Sequence, residues 1–140
     1  MTKYIKTAIV ILSILTSVLL WGGCRRVSHN GKIDGNWIIT SIIRTSDGAE
    51  LLPVADRGLL SIAIQCELFQ TSGASVCTGE LTYNEDAERL TVDFRAPKNL
   101  SMPMLNRYGI MTNPVTFSVD VNKHHLILTT PETIITCKKW

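Results

Sequence analysis

Several patterns that carry chemistry are missing from this chain. It has no Gly-x-Ser-x-Gly nucleophile turn, no His-Glu-x-x-His zinc helix, no Cys-x-x-Cys pair and no glycine-rich phosphate loop. No convergent polar set replaces them, so no enzymatic activity, no catalytic residue and no cofactor are expected. Histidine is scarce. His29 stands alone in a polar stretch, and His124 and His125 are adjacent, which on a strand end sends them to opposite sides. Glu85, Asp86 and Glu88 match no calcium-loop spacing and read as a solubilising turn. No metal site is expected.

A surplus of positive charge is also lacking. The 14 Lys and Arg against 12 Asp and Glu include Lys3 and Lys6 of the extreme N-terminus; without these two the balance is 12 against 12. Nucleic-acid binding, which needs basic charge gathered on one face, is therefore not expected. Beyond the N-terminal segment, no stretch carries the period of a helix of ordinary length.

What is present begins with a leader. Lys3 and Lys6 precede an apolar run over positions 8–21, which empties into Gly22-Gly23-Cys24. A positive start, an apolar core and small residues before a cysteine are the marks of a lipoprotein export signal. Residues 1–23 are then a signal peptide, with Cys24 the lipidated first residue of the mature chain. The run is short for a membrane span: at about 1.5 Å per residue it covers roughly 21 Å, against a hydrocarbon core of roughly 30 Å. The protein is accordingly expected in the cell envelope, held by lipid to a membrane, on its periplasmic or outer face. Residues 24–34 are polar and read as a flexible tether, in which Arg25 and Arg26 either touch headgroups or stay solvated.

Residues 35–140 suffice for one modest core. A first strand runs from Gly35 to Arg44 and ends at Ser46-Asp47-Gly48. Glu50 to Gly58 reads as a loop or single turn. From Leu59 to Phe69 the alternation puts Leu60, Ile62, Ile64, Cys66 and Leu68 on one face; after a turn at Thr71-Ser72-Gly73, Cys77, Gly79, Leu81 and Tyr83 share a face. Leu90, Val92 and Phe94 point inward on the next strand. Val115, Phe117, Val119 and Val121 do so later. His125–Thr130 and Thr133–Lys138 flank Pro131-Glu132 as a two-residue hairpin, in which Leu128 faces Ile135 and Leu126 faces Cys137. There is room for one or two further strands around Glu50–Val54 and Ile110–Asn113.

Many short antiparallel strands with one apolar face each must hide it against a second sheet or by curling on themselves. The expected fold is an all-β up-and-down meander closing into a small barrel, with a flattened sandwich as the alternative. Between Arg95 and Pro114 the pattern stops. This long connection, or short helix, holds Leu100, Met102, Met104, Leu105, Tyr108, Ile110 and Met111. Too apolar for disorder, it is either an adaptable lid over a hydrophobic ligand or a plug that fills the barrel end.

Gly35-Asn36-Trp37 at the start of the first strand, behind a lipoprotein signal, resembles the small lipocalin-like lipoproteins of anaerobic Gram-negative bacteria. The resemblance implies a barrel over residues 35–140 whose floor is closed by the indole of Trp37. Val76-Cys77 with Gly79, Tyr83 and Leu90-Thr91 also resembles, more weakly, a META-type domain.

Two site readings follow. A small apolar ligand would be lined by Trp37, Ile39, Tyr83, Met102, Met104, Tyr108 and Phe117. Alternatively Trp37 is plain core, and the domain is a structural or protein-interaction module of the envelope with a filled interior. Cys66 and Cys77 would oppose each other across a hairpin at Thr71-Ser72, which permits a disulfide; equally, Cys66, Cys77 and Cys137 are reduced, buried hydrophobes.

Overall fold

The computed structural model describes residues 28–140, together with Ile5 and Thr7. The rest of the expected signal peptide, Cys24 and the first part of the expected tether lie outside the described residues. Eight antiparallel strands follow one another: β1 (Gly35–Arg44), β2 (Ser61–Gln65), β3 (Leu68–Ser72), β4 (Thr78–Asn84), β5 (Arg89–Ala96), β6 (Val115–Val121), β7 (His125–Thr129) and β8 (Thr133–Lys139). Each bonds to the next, and β8 returns to β1, so the sheet closes into a barrel without edges.

Alternation decides the faces, as period-2 geometry requires. Leu81 on β4, Leu90, Val92 and Phe94 on β5, and Val115, Phe117 and Val119 on β6 are all buried. The hairpin at Pro131-Glu132 has the expected register, with Leu126 opposite Cys137 and Leu128 opposite Ile135. β1 keeps Trp37 and Ile39 inward, then slips by one residue between Ile39 and Ser41 against β8. That bulge restores Ile42 to the core.

The stretch expected as one strand from Leu59 to Phe69 is two. Gln65 pairs with Leu68, so the chain reverses at Cys66-Glu67, with Cys66 at φ +54°. A two-residue turn inverts the inward parity beyond it. Phe69 is buried, while Cys66 and Leu68, read as inward, are exposed. This reversal supplies the eighth strand; the extra strands foreseen around 50–54 and 110–113 do not form, and Glu50 makes only an isolated bridge to Ile43.

The barrel has two dissimilar ends. At the end called the floor here lie the start of β1, three tight turns and the end of β8. The crown, opposite, carries the long connections of residues 45–60 and 97–114 and the loop of residues 73–77. The first connection includes a 3-10 turn, Val54–Asp56, and the second a short helix, Met102–Asn106.

Candidate functional site

An eight-stranded barrel is just wide enough for its own side chains to fill, so whether it holds a ligand depends on what those side chains leave open. Here they leave nothing. Trp37, Ile39, Ile62, Ile64, Phe69, Leu90, Phe117, Leu126, Leu128 and Ile135 have between 0% and 1% of their surface accessible. A water-sized internal void would register on its lining, and these residues register none. Phe69 sits at the centre, edge-on to Phe94 with centroids 5.7 Å apart and stacked on Phe117 at 6.2 Å. Such ring pairs add about 0.5–1.5 kcal/mol each beyond the area they bury.

The crown is closed by the apolar connection. Leu105, at the end of the short helix, and Tyr108 and Ile110 just beyond it are fully buried in the main core cluster. The Tyr108 hydroxyl donates to the Ser75 carbonyl at 2.7 Å and accepts from the amides of Ala74 and Ser75 at 3.0 and 2.8 Å. One phenol thus satisfies three backbone groups of the neighbouring loop. Gly109 follows at φ +81°, where a Cβ would meet Ile42 Cγ2 at 2.7 Å, and its carbonyl accepts from Thr133 Oγ1 at 2.5 Å. Only glycine fits there. Arg107, outside, pairs with Asp56 at 3.2 Å and ties the two crown connections together.

The floor is closed by a segment the sequence did not mark. Residues 28–34 of the expected tether are folded: Gly31–Ile33 form a 3-10 turn and Ile33 is fully buried. The Asp34 carboxylate accepts from the amides of His29 and Asn30 at 2.7 and 2.9 Å and from Asn30 Nδ2 at 2.7 Å. Asn30 Nδ2 also donates to the Cys66 carbonyl at 2.6 Å, across to the β2–β3 turn. Trp37 Nε1 donates to the Ile33 carbonyl at 2.8 Å, and Lys139 Nζ lies 4.3 Å from the indole centroid. The indole does stand at the floor, but a stopper made of Ile33 covers it. The available sequence signals were a lone Ile among polar residues and an Asn and Asp bracketing it, both weak.

The residues expected to line a ligand fall into two groups. Trp37, Ile39, Tyr108 and Phe117 are interior and fully buried; Tyr83, Met102 and Met104 are half-buried at the margin. Desolvation, with Glu85 and Glu88 nearby, pushes the Tyr83 phenol above its ordinary value. Cys66 and Cys77 do not meet. Cys66 is in the β2–β3 turn at the floor, whereas the Cys77 carbonyl accepts from Thr71 N at 2.9 Å, five residues along β3, or roughly 16 Å at strand spacing. All three described cysteines are free thiols. Burial pushes Cys137 up to about 12.

Open space lies outside the barrel wall. A crown cleft of about 670 Å³ is bordered by Arg44, Leu51, Asn106, Met111, Pro131 and Glu132. A floor cleft of about 590 Å³ is bordered by Ser28, His29, Lys32, Ile64, Cys66 and Lys139, among others. The crown also exposes Val54, Leu59 and Val76. These sit on adjoining loops: Asp56 meets Arg107, Ser75 meets Tyr108, and a Cβ on Gly73 would lie 2.1 Å from the Leu59 carbonyl oxygen.

Residues 17–140 match the family model of the lipocalin-like domain. A lipocalin-like protein from Bacteroides uniformis superposes with a TM-score of 0.61 at 15% identity, over 79% of this chain and 100% of the other. An uncharacterized protein from Bacteroides eggerthii does so at 0.58 and 13%, over 76% and 98%. No curated protein matches the chain.

Proposed function

Because the chain belongs to the lipocalin-like domain family, we propose that it is a lipid-anchored, non-catalytic protein of the cell envelope that acts through the outside of a filled barrel. The observation that carries this reading is the closed interior. To admit a ligand, the connection 97–114 would have to withdraw Leu105, Tyr108 and Ile110, all fully buried. Re-exposing such side chains costs about 1.5–3 kcal/mol each, before the bonds of Tyr108 and Gly109 are counted. A ligand would have to repay that cost. The exposed crown residues Val54, Leu59 and Val76, with the half-buried Met102 and Met104 on the connection 97–114, offer instead an adaptable apolar surface for an envelope protein. The anchor is supported by the leader and by Cys24.

A second reading keeps the small apolar ligand and moves it to the crown cleft, whose Leu51, Met111 and Pro131 give it an apolar wall. Native mass spectrometry of the lipidated protein, released in mild detergent from its own envelope, separates the two. A retained protein partner, lost from a Leu59→Ser/Val76→Ser variant, is the expected result. A reproducible apolar small molecule with no protein partner would favour the second. Labelled palmitate incorporated by the wild type but not by Cys24→Ser tests the anchor.

A further inference from the structure

Residues 28–34 are fixed to the barrel, so the chain upstream departs from the floor. Asn30 bonds to the Cys66 carbonyl, Asp34 caps the turn, and Ile33 is buried beneath Trp37. Only residues 25–27 separate Ser28 from Cys24. Fully extended, four peptide steps reach at most about 14 Å. A lipid on Cys24 would therefore hold the floor close to the bilayer and leave the crown facing away.

The floor carries an exposed residue suited to that position. Trp140 is 78% exposed, the largest exposure among the exposed large hydrophobics of the described chain. Its amide donates to the Asn36 carbonyl at 3.0 Å, which pins it beside the start of β1. The preceding residue, Lys139, donates from Nζ to the Asp34 carbonyl at 2.6 Å and borders the same cleft as Ser28. The departing chain and Trp140 thus lie at the same end of the barrel. Indoles favour the headgroup layer, where the ring leaves water and the N–H keeps a partner.

We infer that the floor is a membrane-contact surface, with Trp140 seated among the phospholipid headgroups of the bilayer that holds the anchor. This rests on the anchored reading given above. Charge on the described floor is balanced: exposed Lys32, Arg89, Lys123, Lys138 and Lys139 are set against Glu67, Glu85, Asp86, Glu88 and Asp120 at the same end. The contact is carried by the indole and the short tether, so it does not require anionic lipid.

The test uses the full lipidated protein reconstituted into phosphatidylcholine vesicles, with and without lipid brominated near the headgroup. Flotation reports anchoring, and the wild type minus Trp140→Phe difference in emission isolates Trp140 from the buried Trp37. The expected result is that both forms float and that brominated lipid removes the Trp140 signal in phosphatidylcholine alone, without phosphatidylglycerol. Flotation with a Trp140 signal untouched by bromine but quenched by iodide overturns the contact and leaves the anchor standing. Failure to float overturns the anchored reading, and the contact with it.

Discussion

Trp37 and Ile33, four residues apart, are joined by a buried hydrogen bond in which the indole Nε1 donates to the Ile33 carbonyl at 2.8 Å. The tryptophan that opens the first strand is thereby tied to the turn that stops the floor. The N–H it must satisfy on burial is the group that fixes the stopper.

Trp37→Phe should keep the ring in the core and strand the Ile33 carbonyl. An unsatisfied buried acceptor costs about 1–3 kcal/mol, to which the lost volume adds. Urea unfolding should show at least that loss, together with faster hydrogen exchange at the amides of His29 and Asn30. A change confined to about 0.5 kcal/mol, the range of an ordinary surface substitution, would mean the turn is held without the indole.

Tyr108→Phe should loosen the crown. It removes the acceptor for Ala74 and Ser75 N–H and the donor to Ser75 C=O, all at the margin of the core. We expect a stability loss of about 1–3 kcal/mol and accelerated hydrogen exchange over residues 73–77. If the same substitution leaves stability unchanged and raises the uptake of apolar dyes, the connection is a lid and not a plug.

The three described cysteines should react in order of exposure. Cys66 is exposed on its turn and should react with a maleimide at once, whereas Cys77 and Cys137 should react only on unfolding. Burial pushes the Cys137 thiol up to about 12, which leaves almost no thiolate at neutral pH. Mass spectrometry after brief alkylation should find one adduct on the barrel, at Cys66. A Cys66–Cys77 disulfide in the native protein would contradict the register of β2 and β3.

Acid should weaken the tie between β1 and the connection that follows it. Burial raises Glu50, but the Ser41 hydroxyl at 2.6 Å and the amides of Ile42 and Leu52 at 2.8 and 3.1 Å outweigh it and hold the carboxyl below its ordinary 4.5. A depressed carboxyl contributes stability that is full above the unfolded value and is lost as the pH falls through the folded one. Thermal unfolding between pH 6 and about pH 3 should therefore fall less steeply in Glu50→Gln than in the wild type. Parallel slopes would show that these bonds do not depend on the charge.

How much of this was legible depended on the range of the signal. The faces of β4 to β8 followed from alternation, because a half-buried strand writes its environment into every second residue. The hairpin at Pro131-Glu132 was equally plain, since the proline cannot pair and its flanks match in register. Cys66-Glu67 was not, because it turns without the glycine or asparagine that usually announces a positive φ. Reading through it misplaced Cys66, Leu68 and Phe69 and suggested a disulfide. Of the two readings of the methionine segment, its composition could not choose.

By itself, then, the sequence determined an all-β meander that must hide one apolar face, with its inward residues and its Gly-x-Trp opening, because those features are local and repeat every two residues. The tertiary structure alone decided that the barrel is full and that both ends are stopped. Whether Ile33, Leu105, Tyr108 and Ile110 complete a core or ride above a cavity depends on the volume left by strands distant in sequence. It depends as well on whether a carbonyl of a remote turn, at Cys66 or Ser75, lies within hydrogen-bonding reach. Those quantities exist only once the chain has closed.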